Sequence, residues 1–249
     1  KKEGLDPFWH KLSNTSKTSN VSKQRSSSVN LPESLICTLT KHKTRLKSLT
    51  DIAVKSIPNE AWISSMFEVI PSPEIIKLFT FLGNLLILCP QKYGHWGTNK
   101  INESLLGNIT SKGISSWEQA TPVICGSNQP ELGLANGDIG LVIGEGLKRR
   151  LLFNILSDDQ KLVTRLIHPS RVNVLDPAYA MTIHKSQGSE ADQVILLWTE
   201  PMNKLKNSQN LNLHSHDYEK RLIYTAITRA KKQLTVITDK NNDFEHGIN

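Results

Sequence analysis

The sequence has no apolar run approaching the roughly 18 residues of a membrane span; its longest candidate, LGNLLILCP, breaks off at Pro90. Cysteine occurs only at Cys37, Cys89 and Cys125, each beside apolar residues and never in CxxC spacing. That excludes a disulfide framework or a zinc site and reads as buried thiols in a reducing compartment, so a cytoplasmic location is expected. HExxH and GxSxG are both missing, which argues against zinc-protease and serine-hydrolase chemistry. Also missing is GxxxxGK followed by Ser or Thr, together with any acidic pair of the Walker B kind. The chain therefore lacks the loop that would cradle nucleotide phosphates and hold Mg²⁺. Its first residues, KKEGLDPFWH, include neither an initiating Met nor a secretory apolar region, so a start partway into a longer protein is expected.

What is present is enough to fold. A chain of 249 residues with 38% hydrophobic content allows one sizeable α/β domain or two smaller ones. Its net charge of +7 and pI near 9.3 suit an anionic partner such as nucleic acid, because Lys and Arg displace counterions from phosphates.

Residues 11–34, KLSNTSKTSNVSKQRSSSVNLPES, are nearly devoid of large apolar side chains. They cannot offset their ordering entropy by burial, so residues 1–34 are assigned to a disordered, low-complexity segment. From Leu35 a strand or turn leads into a helix with Leu46, Leu49, Ile52, Ala53 and Ile57 at helical spacing. NLLILCP, residues 84–90, suits a strand buried in a parallel sheet, and Thr98 suits the N-cap of the helix that follows. Between Thr121 and Pro177 five short strand candidates alternate with Gly, Asn and Asp turns, the grammar of a small antiparallel barrel. Parallel-sheet grammar returns with DQVILLW, the helix HDYEKRLIYTAITRAKK and the strand QLTVIT. In that helix Asp217 sits near the start and Lys231 and Lys232 near the close, as the helix dipole favours.

Two clusters carry candidate chemistry. In YAMTIHKSQGSEADQVILLW, residues 179–198, the apolar positions Tyr179, Met181 and Ile183 alternate with polar ones before His184, Lys185, Ser186, Gln187, Gly188, Ser189 and Glu190 crowd together. The cluster lies at a strand's edge on a turn or short helix. It reads either as a solvated connector or as a surface contacting phosphate and sugar. In the second cluster, with Tyr224, Lys231 and Lys232, the residues Leu222, Ile223, Ala226, Ile227 and Ala230 form an apolar helix face that leaves Thr225, Thr228 and Arg229 toward one flank. Arg229 is either a solvated basic helix end or a planar fork for transferring phosphate.

Taken together, AMTIHKSQGSEADQVIL and RLIYTAITRAKKQLTVI resemble motifs V and VI of superfamily 1 DNA helicases, in the form found in the RecD type, the alpha subunit of exodeoxyribonuclease V. LILCPQKYGHWGTNKINESL and GLANGDIGLVIG resemble that family's second RecA-like domain and the start of its SH3-like insertion. The resemblance spans Leu85 to Ile237 and is most specific at the two motifs. It implies a RecA-like parallel-sheet domain at residues 35–128 and 177–249, interrupted by a small SH3-like β-barrel at 129–176.

For function, the resemblance implies the carboxyl-terminal motor domain of an ATP-dependent helicase moving 5′ to 3′ in DNA recombination and repair. Thr182, His184, Lys185 and Ser186 would face single-stranded DNA. Gly188 and Glu190 would lie toward the nucleotide, with Glu190 accepting from the ribose hydroxyl. Arg229 would act as arginine finger, supported by Tyr224 and Thr228. In LTKHKTRLKSLTDIA, Arg45 is the counterpart of a phosphate-contacting arginine that the family places just before a helix, although Thr44 replaces the usual tyrosine. The implied cofactor is ATP with Mg²⁺, whose metal ligands are expected in an N-terminal RecA-like domain absent from the chain. Implied partners are that domain, single-stranded DNA and RecB/RecC-like nuclease subunits, with no membrane. The competing reading is a nucleic-acid-binding module that kept the DNA surface and lost hydrolysis.

Overall fold

The computed structural model describes residues 21–26, 30–107, 113–157, 159–198 and 212–239. In chain order, strand β1 (Val21–Ser26) precedes helix α1 (Glu33–Val54), β2 (Met66–Val69), α2 (Pro73–Gly83), β3 (Leu85–Cys89) and α3 (Thr98–Leu106). Next come β4 (Pro122–Cys125), β5 (Ile139–Ile143), β6 (Arg150–Leu156), β7 (Leu162–Ile167) and β8 (Leu175–Pro177). The last elements are β9 (Met181–Thr182), β10 (Ala191–Trp198), α4 (Asn212–Ile227) and β11 (Ala230–Asp239). These elements divide into two compact units, one comprising Lys1–Pro32, Asn84–Lys100 and Met181–Asn249, the other Glu33–Gly83 and Ile101–Ala180.

The first unit is built on a five-stranded sheet in the order β1-β11-β10-β3-β9, and every pairing in it is parallel. The apolar runs LLILC and ADQVILLW become its inner strands, with Leu86–Cys89, Val194, Leu196, Leu197 and Trp198 buried. Each such side chain removed from water contributes roughly 1.5–3 kcal/mol. Leu222, Ile223 and Ala226 form the buried stripe of α4, as the helical spacing predicts. The expected α/β class with a parallel sheet is thus what forms.

Two local expectations are corrected here. Residues 21–26, assigned to the disordered segment, form β1 and run in register along β11, Val21 against Leu234 through Ser26 against Asp239. An edge strand draws on backbone hydrogen bonds and polar pairs such as Ser22 Oγ with Thr235 Oγ1 at 2.9 Å, so it needs little apolar burial. Residues 1–20 and 27–29, the rest of that assignment up to residue 29, lie outside the described residues. Lys231 and Lys232 do not close α4, which ends at Ile227; they stand on β11. There they pair with Glu190 and Asp192 across the parallel register.

The second unit holds a six-stranded antiparallel sheet in the order β2-β7-β6-β5-β4-β8. Period-two alternation buries both of its faces. Leu141, Ile143, Leu152 and Leu166 pack with Leu46, Leu49 and Ala53 of α1 and Ile75, Leu78 and Leu82 of α2. Their neighbours Val142, Leu151, Phe153 and Ile167 face the other way, onto Trp117, Leu132 and Leu134. Gly140 is the tight point of β5, since a Cβ there would meet Leu152 O and the Phe153 ring at 2.7 Å.

Four of the five strands expected in the Thr121–Pro177 stretch are β4 to β7, while the fifth, RVNVL, gives way to β8, which begins only at its last residue, Leu175; no pairing among the described residues joins the end strands β2 and β8 into a closed barrel. Residues 35–83, expected with the parallel sheet, are grouped with the antiparallel one. Leu35 lies inside a helix and not in a strand or turn, because Leu35 and Leu39 extend the buried stripe of α1 one turn earlier. Cys89 and Cys125 are buried as expected, whereas Cys37 is exposed on α1. No helix among the described residues is long and apolar enough to cross a membrane.

Candidate functional site

Strand β9 ends beside the carboxyl end of β3, with Met181 opposite Leu88 and Thr182 opposite Cys89. The buried Ile183 then anchors a short 3₁₀ turn, Ile183–Ser186. Ser186 is buried too and its hydroxyl donates to Ile183 O at 2.7 Å, closing the turn from inside. Since Ile183 and Ser186 point inward, His184 is left exposed and Lys185 half-buried. The polar cluster is therefore a turn with a sealed inner side, and Thr182, half-buried, marks its start.

Beyond the turn Gly188 has φ +86°, the left-handed region that favours glycine, and open space where a Cβ would stand. This bend redirects the chain through Ser189 and the exposed Glu190 into β10. Forty positions further on, the end of α4 meets the same bend: Arg229 Nη1 donates to Ser189 O at 3.3 Å. Its Nε donates to Thr225 O at 3.1 Å and its Nη2 to Thr228 Oγ1 at 3.1 Å. The backbone adds Ala191 N to Arg229 O at 2.9 Å. Lys231 Nζ lies 3.4 Å from Glu190 Oε2, and Lys232 Nζ 2.7 Å from Asp192 Oδ2.

The geometry thus gathers Gly188, Glu190 and Arg229 at one bend. A planar guanidinium beside an open glycine bend fits an anionic phosphate, and an exposed carboxylate fits a sugar hydroxyl. Among the described residues no group of His, Cys, Asp and Glu could hold a metal ion.

Along the other stretch of α4 the exposed rings of Tyr218 and Tyr224, with Lys220, Arg221, Leu222 and Thr225, join Ile183, His184 and Gln187 around a cavity of about 640 Å³. Tyr218 and His184 stack with centroids 6.1 Å apart at 26°, and Tyr218 Oη lies 3.4 Å from His184 Nε2. Sequence reasoning missed Tyr218, Lys220 and Arg221. Helical spacing carried the signal, because Tyr218, Arg221, Leu222 and Thr225 stand at i, i+3, i+4 and i+7.

Arg45 is not part of this gathering. It belongs to the other unit, exposed in the middle of the 22-residue helix α1 and not just before a helix. The neighbouring Lys43 is engaged at 2.8 Å with Leu105 O and at 2.9 Å with Glu118. Tyr224 is 65% exposed and lines the cavity, so it does not buttress the helix from within. Two groups near the site sequence are chemically quiet: burial pushes both the Cys89 thiol and the Tyr179 phenol well up from their ordinary ranges.

Residues 177–237, which contain the whole of this arrangement apart from the β3 side, match the UvrD-like helicase C-terminal domain. Over 209 residues the chain is 25% identical to the RecBCD enzyme subunit RecD of Haemophilus influenzae, covering 80% of the chain and 28% of that relative. Over 157 residues it is 30% identical to RecD of Mycolicibacterium smegmatis, covering 61% of the chain and 24% of the relative. The sequence is RecD-like. What it resembles is the carboxyl-terminal part of such a helicase, and the chain spans under a third of the length of the RecD subunits it matches. Among solved structures, Bacteroides Pif1 bound to ssDNA aligns with 84% of the chain and 50% of that protein, at 15% identity and a TM-score of 0.37.

Proposed function

We propose that this RecD-like chain is the second motor domain of an ATP-dependent DNA helicase, working with a P-loop-bearing RecA-like domain to move 5′ to 3′ along single-stranded DNA. The observation that carries the reading is the clasp between Arg229 and Ser189, because it ties the phosphate-seeking group just after α4 to the bend that follows the turn presenting His184 outward. ATP with Mg²⁺, held mainly by the P-loop domain, supplies the cleavable γ-phosphoryl bond. Arg229 neutralises charge developing on the transferring phosphate, and Glu190 accepts from the ribose hydroxyl. Thr182, His184 and Lys185 form the DNA side, whereas Ser186, expected with them, is buried with its hydroxyl turned to Ile183 O. Drawing Arg229 toward phosphate loosens its hold on Ser189 O and shifts the bend at Gly188, so hydrolysis and strand contact share one mechanical element.

In this reading the parallel-sheet unit is RecA-like and the strands within residues 129–176 are the family's SH3-like insertion. The assembled protein serves recombination and repair in the cytoplasm with RecB/RecC-like nuclease partners. One observation favours the competing reading of a binding module without hydrolysis: all three guanidinium nitrogens of Arg229 already have acceptors within the chain.

The test compares DNA-stimulated ATP hydrolysis by this chain alone with that of the chain joined to the P-loop domain, and follows strand displacement from duplexes with 5′ or 3′ tails. Activity only in the joined protein, on 5′ tails, is expected. Equal turnover by the chain alone would sink the two-domain reading, displacement from 3′ tails the polarity, and no turnover in either form the motor itself.

A further inference from the structure

The cavity beside the 3₁₀ turn has a composition that the phosphate chemistry does not explain. Phosphate contacts need cations and N–H donors, yet this cavity also presents two tyrosine rings: Tyr218 is 50% exposed and Tyr224 65% exposed. Large aromatic faces left in water on a well-packed helix have no folding role, because their apolar area is not buried. The cavity floor is apolar, with Ile183 and Leu222 buried beneath, and its rim is basic, with Lys220 and Arg221. Among the described residues that line it none is acidic. Rings over an apolar floor with cations at the rim match a nucleobase, whose flat face is apolar and whose neighbours along the strand are phosphates.

We propose that this cavity is a stacking subsite for one unpaired nucleobase of a DNA strand, with Tyr218 supplying the ring face and Arg221 and Lys220 holding the adjoining phosphates. The proposal rests on the reading of Thr182, His184 and Lys185 as a DNA surface, and adds residues from α4 to it. The contact between Tyr218 Oη and His184 Nε2 fixes the tilt of the Tyr218 ring relative to the turn, so the base is gripped next to the backbone contacts of the turn. Stacking accepts any base, because every base has a π face. The subsite therefore adds affinity for unpaired strands over duplex without adding sequence preference.

The experiment measures binding of the full chain to a fluorescent oligothymidylate and to an abasic strand of the same length, each over a range of salt concentrations. Tyr218→Ala is expected to weaken oligothymidylate binding roughly tenfold while leaving the salt slope and abasic binding unchanged. Tyr218→Phe, which keeps the ring and loses the hydroxyl, is expected to retain most of the affinity. Unchanged thymidylate binding by Tyr218→Ala, or equal loss on both strands, overturns the subsite. Lys185→Ala run in parallel separates this from the reading beneath it: weaker binding to both strands with a shallower salt slope keeps the DNA surface even where the subsite fails. Failure of the unaltered chain to bind either strand overturns both.

Discussion

Two arginines, one in each unit, show how differently the same side chain is used. Arg150, on β6 of the antiparallel sheet, is 4% exposed and its guanidinium is ringed by the carbonyls of Trp62, Leu147 and Arg149. Arg229, at the end of α4 in the parallel-sheet unit, is half-buried and holds its acceptors at 3.1 to 3.3 Å beside an open glycine bend. A fork sealed among carbonyls completes the packing and cannot exchange partners. One lying at a loop with longer bonds can trade a carbonyl for a phosphate oxygen, which binds a guanidinium more strongly. The difference lies in access and not in residue type.

Four changes break or sharpen that contrast. Arg229→Ala in the protein joined to its P-loop domain is expected to lower ATP turnover by about 10³-fold or more, as loss of an arginine finger does, and to leave oligothymidylate affinity largely intact. Unchanged turnover in a steady-state assay would remove Arg229 from the chemistry. Arg150→Ala should do the reverse, costing about 3 kcal/mol of unfolding stability in chemical denaturation because buried carbonyls lose their donor, with strand binding unaltered under native conditions.

The third change uses His42, stacked on Phe81 at 4.7 Å, whose burial depresses its pKa to about 4. Unfolded, the imidazole titrates near 6.5, so between those values the unfolded chain binds the extra proton. This contribution is fully present above about 6.5 and is lost as pH falls toward 4; after discounting its partial exposure it is worth about 2 kcal/mol. His42→Gln should flatten the stability profile in that window, and an unchanged profile would count against the buried neutral form. The smallest effect is expected from Gly188→Ala, about 1 kcal/mol from the left-handed backbone alone because space for the methyl exists. A larger loss in thermal unfolding would mean that the bend is a packing point and not a free hinge.

Much of the parallel-sheet unit was legible in the sequence. LLILC and DQVILLW are continuous apolar runs that only a strand with both faces covered can use, and Leu222, Ile223 and Ala226 recur at helical spacing. β1 was not legible, since an edge strand of Ser, Lys, Gln and Arg is held by its backbone. Nor was the placement of residues 35–83: the α1 stripe of Leu46, Leu49 and Ala53 announces a buried face without naming the sheet that buries it.

In the site, it was the resemblance of TIHKSQGSE and YTAITRA to helicase motifs that singled out Gly188, Glu190 and Arg229, since residue types alone left a solvated connector and a basic helix end equally open. Tyr218 escaped notice because nothing local ties it to His184, 34 positions earlier.

The sequence by itself determined most of the elements, through the period of its apolar residues, and the polar side chains that crowd residues 182–190 and the end of α4. Tertiary structure alone decided which residues meet. The parallel register of β10 with β11 sets Ala191 against Ala230, and this brings Arg229 to Ser189 and Lys231 to Glu190. Contacts across 40 positions depend on how strands align in space, and no local pattern encodes that alignment.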